Sequence, residues 1–346
     1  MEAALFHQVG ELARPIRASF ETHGERARLF LRIVHDGVDG VGEISPQPRA
    51  INGDPGFDDV LDALRGALAR LEGVVQREGD LPHWSRVARL GSASPRDNAA
   101  YALIEMALLD REMRRDAVLV EDTWAPIGET PWQGTVSILD DEEWNVDQRV
   151  QRVRVKCAPG ALSASSQRRL SELTVPVLLD FNCSAARDDE VLELLSSVSR
   201  FARVDAVEQP YPVGNVVDHA KLAARLDVAL SLDEGVRSLR DLRQIVNYEA
   251  ATMLCVKPAR VGGLANARTL IARAQGAGLR VYLGGFFESP YARRVHRALA
   301  NSCVIEPSDV GDVAFTSDID LVPTTTSFGV EPALVSRAGL EPLSLA

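Results

Sequence analysis

Lys156, Asp180, Glu208, Asp233 and Lys257 each close a short apolar run: VRVK, VPVLLD, VDAVE, VALSLD and TMLCVK. They follow one another at steps of 24, 28, 25 and 24 residues. Three carboxylates in the same place of consecutive units form a donor set for a hard, oxygen-seeking cation. Mg2+ is favoured, with Mn2+ as the alternative, because it needs few protein ligands and leaves positions open for substrate oxygens. A lysine that ends an apolar strand is costly unless its amine reaches solvent, a partner or a substrate. Near a cation and partly desolvated, its neutral form gains weight and can act as a base. The set reads as a metal site (Asp180, Glu208, Asp233) flanked by two catalytic amines (Lys156, Lys257).

The elements that must position these residues follow from the same spacing. Apolar runs of this length read as buried parallel strands, and each intervening stretch holds a loop and a crossover helix. Repeated βα units of this size predict an α/β fold, a (β/α) barrel of modified TIM type, in which C-terminal strand ends share one mouth. TVSILD (135–140) is expected as the first strand, with LRVYLGG (279–285) and CVIEP (303–307) as the seventh and eighth. Ahead of the barrel, RLFLRIVHDG alternates and turns at Asp36-Gly37, and helical patterns begin at Phe57 and after Ser94-Pro95. The expected organisation is an N-terminal α+β capping domain over 1–113, a catalytic barrel over 131–307, and a tail over 308–346 packing back on the cap.

The chain has 346 residues, 46% hydrophobic and 25% charged, ordinary values for a globular protein. A net charge of −11 argues against nucleic acid or an anionic membrane as a partner. No stretch reaches transmembrane length, and the N-terminus lacks the basic start and apolar core of a signal peptide, so a cytoplasmic enzyme is expected. Cys157, Cys183, Cys255 and Cys303 are far apart and read as reduced thiols. No histidine ends a barrel strand. His296 and the neighbouring Arg293, Arg294 and Arg297 are expected on an exposed helix face. Glu234, next to Asp233, is placed to orient a lysine if the strand has already ended.

Beyond these derivations, the chain resembles the enolase superfamily, and within it the muconate-lactonising subgroup. The resemblance is carried by Lys156 after VRV, LLDFN with Asp180 and Asn182, VEQP at 207–210, LDEG at 232–235 and VKPARVGG at 256–263. VGEISP, LIEMALLDRE and GGFFES, which leads to Glu288, extend it over nearly the whole chain. It implies Mg2+ on Asp180, Glu208 and Asp233, a small-molecule carboxylate substrate bound to it, and Asn182, Glu234 and Glu288 in support. Two positions depart from the pattern. The usual Lys-x-Lys begins here with Arg154, which keeps the charge and changes the geometry. Glu288 is followed by Ser-Pro-Tyr-Ala-Arg-Arg, expected to restrict the loop there.

The chemistry so implied is removal of a proton α to a carboxylate through an enolate; this superfamily is a standard example of a lysine or histidine base working with magnesium. Dehydration of the o-succinylbenzoate synthase type is the leading reaction. N-acylamino-acid racemisation, dipeptide epimerisation, muconate cycloisomerisation and a non-catalytic binding barrel are the alternatives, and a homo-oligomer is compatible with any of them. Cap residues expected near the substrate lie around Phe20, Glu21 and Thr22 and along 49–52.

Overall fold

The computed structural model describes residues 1–90, 94–313, 316 and 341–343. The N-terminal strands β1 (Glu2–Arg17), β2 (Thr22–His35) and β3 (Val38–Ile44) form an antiparallel sheet. Asp36 and Gly37 both take positive φ between paired His35 and Val38, the two-residue turn that the Asp-Gly dipeptide favours. The short strand Glu341–Leu343 lies antiparallel to β1 on the outer edge, pairing Leu5 with Leu343. The rest of the tail expected over 308–346 lies outside the described residues beyond 313, apart from Thr316.

Two helices cover the cap sheet. In α1 (Phe57–Glu78), Val60, Leu64, Leu68 and Leu71 recur at helical spacing and are buried, and Gly79 ends the helix in the left-handed region. Ser94 caps α2 (Pro95–Asp116), its hydroxyl accepting from the Asp97 amide, with Pro95 in the first turn. All residues from Asn98 to Arg111 in α2 are buried, because this helix lies between the cap sheet and the barrel. From its barrel side, Glu105 accepts the amides of Leu264 and Ala265, the first turn of a barrel helix.

The barrel strands are β4 (Trp132–Ser137), β5 (Val150–Lys156), β6 (Val177–Asp180), β7 (Val204–Glu208), β8 (Ala229–Leu232), β9 (Met253–Val256) and β10 (Arg280–Leu283). They form one parallel sheet in chain order. The five marked runs are β5 to β9, as the spacing predicted. The first strand starts earlier than expected, at Trp132. The eighth expected strand is not there. Cys303 is the last residue of helix Pro290–Cys303, Ile305 is 75% exposed, and Pro307 lacks the N–H a ladder needs. The ring is bridged between β10 and β4 by Ser308 and Asp309 instead. The Gln133 amide donates to the Ser308 carbonyl (2.8 Å) and the Asp309 amide to the Leu283 carbonyl (2.8 Å). Among the described residues no helix is long and apolar enough to cross a membrane.

Gly42 on β3 meets α2 without any side chain between the two backbones. A Cβ there would come inside 3.0 Å of the Leu103 carbonyl and the Ala107 amide. Gly42→Ala is therefore expected to lower stability by about 1–3 kcal/mol through overpacking, read as a lower urea midpoint. Gly24→Ala, with nothing within 4 Å, should leave the midpoint in place.

Candidate active site

The five marked residues meet at the C-terminal mouth of the barrel. Parallel register sets Lys156 beside Asp180 and Asp180 beside Glu208. Asp233 and Lys257 come one residue after β8 and β9, where the chain leaves the sheet. Asp180, Glu208 and Asp233 are at most 1% exposed, and the two lysines reach 9% and 8%.

Carboxylates this deep are held by cations. Lys156 Nζ donates to Asp180 Oδ2 (2.5 Å) and Asn182 Oδ1 (2.9 Å), and Lys257 Nζ to Asp233 Oδ2 (2.9 Å). Arg154 Nε lies 3.3 Å from Glu208 Oε2 and 3.8 Å from Asp180 Oδ2, and its Nη1 lies 3.5 Å from Asp309. The Tyr282 hydroxyl donates to Glu208. Arg260 bonds Asp233 on one side and takes Asp54 of the cap with Nε (2.8 Å) and Nη2 (2.6 Å) on the other. Glu234 is buried because β8 has already ended. Its Oε1 accepts from Asn182 Nδ2 (3.2 Å), which in turn fixes Asn182 against Lys156.

The electrostatics are uneven. Burial, then repulsion from Asp180 and Asp233, pushes Glu208 up to about 7; burial, then Asp233 and Asp180, does the same to Glu234. Burial would raise Asp233 as well, but Arg260 and Lys257 hold it well below the usual carboxylate range. Burial lowers Lys257, yet Asp233 outweighs it and keeps the ammonium form.

The donor set suits a hard cation. Glu208 Oε1 is buried and has no hydrogen-bond partner among the described residues. Ligand atoms of Glu208, Asp233 and Cys255 lie within 4.8 Å of one another. Asp180 stands outside that tight group, its Oδ2 taken by Lys156 and its Oδ1 by the Asn182 amide (3.0 Å). Burial keeps the Cys255 thiol protonated, so it is a poor ligand for an oxygen-seeking ion.

A cavity opens above these groups, lined by Arg154, Lys156, Asn182, Glu234 and Lys257 from the barrel. The three carboxylates lie behind the cations bonded to them and do not line it. The cap supplies Phe20, Glu21, Ile51 and Asn52, all within the two stretches expected, together with His23, Arg26, Gln47 and Asp54. The roles of His23, Arg26, Asp54 and Arg260 were not read from sequence. Arg260 sat three residues beyond Lys257 in VKPARVGG, which was the available signal, and the polar loop around Asp54 carries no periodicity.

Glu288 is not brought to the cavity. It is buried behind it, with Oε1 accepting the Phe286 amide (2.9 Å) and Oε2 lying 3.3 Å from Arg293 Nε. The surface expected for Arg293 and His296 is corrected: they are 1% and 3% exposed. Arg293 also pairs with Asp309 (2.8 Å). These residues occupy the inner face of the last barrel helix. Pro290 sits in the first turn of that helix rather than restricting a loop.

A barrel with a carboxylate–lysine mouth, closed by an N-terminal α+β cap, is the architecture of the enolase superfamily. Residues 142–328 match the family model described as Enolase C-terminal domain-like, and the chain belongs to that family. It is 26% identical to the o-succinylbenzoate synthase of Bacillus subtilis, over 92% of this chain and 86% of the relative. It is also 26% identical to the N-succinylamino acid racemase of Thermus thermophilus, over 96% of this chain and 90% of the relative. Its fold matches that of the dipeptide epimerase of Cytophaga hutchinsonii, solved with Mg and the dipeptide D-Ala-L-Val, at a TM-score of 0.77. There the identity is 18%, covering 99% of this chain and 98% of the epimerase.

His23 supplies a pH test of the cavity. Burial, then the charges of Arg26, Lys156 and Lys257, lowers it to about 3. Between its ordinary value of about 6.5 and that value, the unfolded chain binds a proton that the folded chain refuses. Stability is therefore lost as pH falls through this window. Urea midpoints at pH 7 and pH 5 are expected to differ less in His23→Asn than in the unsubstituted protein; an unchanged difference would contradict the burial of a neutral imidazole.

Proposed function

We propose that this enolase-superfamily enzyme removes the proton α to a substrate carboxylate, giving an enolate, and that its leading reaction is dehydration of the o-succinylbenzoate synthase type. The observation that carries the reading is that Lys156 and Lys257 enter one cavity from the second and sixth barrel strands, beside three buried carboxylates. Residues 1–113 would act as the substrate-facing cap, 131–307 as the catalytic barrel and 308–346 as a tail returning to the cap.

Asp180, Glu208 and Asp233 would hold Mg2+, with Mn2+ as a substitute, which would supply positive charge to the substrate carboxylate as the α-carbon loses its proton. Lys156 would be the base, entering the cavity beside Arg154. It takes the α-proton, becomes an ammonium, and returns that proton to the departing hydroxyl on the same face, so that water leaves. Lys257 stays cationic and balances the negative charge of the enolate. Asn182 and Glu234 orient Lys156 through the hydrogen-bond chain they form. Glu288, set behind the cavity with Arg293, supports the wall rather than the chemistry.

Racemisation of N-succinylamino acids is the second reading, favoured by one feature: Lys257 reaches the same cavity as Lys156, so the second face of the carbon has an amine too. Both relatives named above fit one or other reaction. Exchange of the α-proton in deuterated solvent detects the shared first step. Lys156→Ala is expected to abolish exchange while the fold survives. Lys257→Met is expected to slow a dehydration and leave measurable exchange at Lys156, whereas in a racemase it would end inversion altogether. Retained exchange in Lys156→Ala would move the base elsewhere. No exchange by the unsubstituted protein would bring cycloisomerisation or a non-catalytic barrel forward.

A further inference from the structure

We propose that His35, Asp36 and Asp80 form a zinc site in the cap, where the β2–β3 turn meets the end of α1. The site stands apart from the enolate reading above, since none of the three residues lines the active-site cavity.

The ends of two elements bring these residues together. His35 is the last residue of β2, Asp36 opens the turn to β3, and Asp80 follows Gly79, where α1 has ended. The His35 carbonyl accepts from Nε (3.3 Å) and Nη2 (2.8 Å) of Arg111 on α2, which fixes the end of the strand. Asp80 Oδ1 accepts the Leu81 amide (2.7 Å), which orients that carboxylate. His35 Nε2 then lies 3.5 Å from Asp36 Oδ2 and 3.4 Å from Asp80 Oδ1. One ligand atom from each of the three residues lies within 4.8 Å of the other two.

The imidazole separates a metal site from a chance meeting of surface charges. Its side chain is only 10% exposed, whereas those of Asp36 and Asp80 are 75% and 67% exposed. Nε2 is itself buried and has no hydrogen-bond partner among the described residues, although two carboxylates face it. In a plain ion pair a protonated imidazole would donate to one of them at about 2.7–3.2 Å. Ligand atoms held at about 2.0–2.1 Å by a tetrahedral ion are instead about 3.3–3.4 Å apart, close to both spacings here. One imidazole nitrogen with two carboxylate oxygens suits zinc, whereas Mg2+ and Ca2+ take oxygen ligands and have no use for the imidazole. The exposed carboxylates leave the remaining position to water. A bound ion would tie the hairpin turn to the end of the helix that covers the same sheet.

The test is calorimetric titration of the full chain with Zn2+ in a large excess of Mg2+, which occupies sites that prefer oxygen. The unsubstituted protein is expected to bind a zinc ion, and its urea midpoint should rise with zinc concentration. Asp36→Asn retains a dipeptide suited to the turn, and Asp80→Asn changes an exposed side chain, so neither should disturb folding. Each of these variants, and His35→Asn, should weaken zinc binding by at least the about 10–100-fold lost with a partner that merely orients a ligand. Asp233→Asn, altered at the barrel mouth, should keep this zinc. No zinc bound by the unsubstituted protein overturns the site, as does undiminished binding in any of the His35, Asp36 or Asp80 variants. Zinc lost in Asp233→Asn also overturns it, because the ion then belongs to the mouth.

Discussion

Carboxylates crowded into a dry barrel mouth repel one another, and the rest of the site is arranged around that repulsion. Two like charges about 4 Å apart repel by about 4 kcal/mol at an effective dielectric of about 20. Asp180, Glu208, Asp233 and Glu234 are all nearly excluded from solvent, and Lys156, Lys257, Arg154 and Arg260 are threaded among them. The compensation is unequal: Asp233 has two close cations, while Glu208 keeps one oxygen without a hydrogen-bond partner among the described residues. Where compensation is weakest, at Glu208 and Glu234, burial and the neighbouring carboxylates push the groups up to about 7.

The same charges tie the cap to the barrel. Arg260 bonds Asp233 and Asp54 at once, so a cap loop and a proposed cation ligand share one guanidinium. Glu105 reaches from α2 to the first turn of a barrel helix, and Gly263 leaves the room for it: a Cβ there would overlap the Glu105 carboxylate, and its φ of +116° already favours glycine. Asn52 adds a contact from the cap to the Asn182 carbonyl (3.1 Å). Position of the cap and charge state at the mouth are therefore linked through a few buried side chains.

Much of this was legible in the sequence for a simple reason. Parallel strands buried on both faces must be apolar until the chain emerges, so the residue at which polarity returns marks the mouth of the barrel. Lys156, Asp180, Glu208, Asp233 and Lys257 all obey that rule. The eighth strand did not follow it: Val304 and Ile305 look like a strand in sequence, but the bridge is made by Ser308 and Asp309 through backbone bonds that hydrophobicity does not encode. Arg293 and His296 read as surface residues because charge usually means exposure. Glu288 and Asp309, distant in sequence until the barrel closes, make burial affordable for Arg293. Arg26 and Asp54 belong to the cap, where their relation to the lysines exists only after the two parts of the chain meet.

Calorimetric titration of Mg2+ bears most directly on the carboxylate cluster at the centre of this arrangement. One ion per chain is expected to bind, and Asp180→Asn, Glu208→Gln and Asp233→Asn should each weaken that binding severely while Glu288→Gln does not. Undiminished binding in any of the first three variants would contradict a cation held jointly by the three carboxylates.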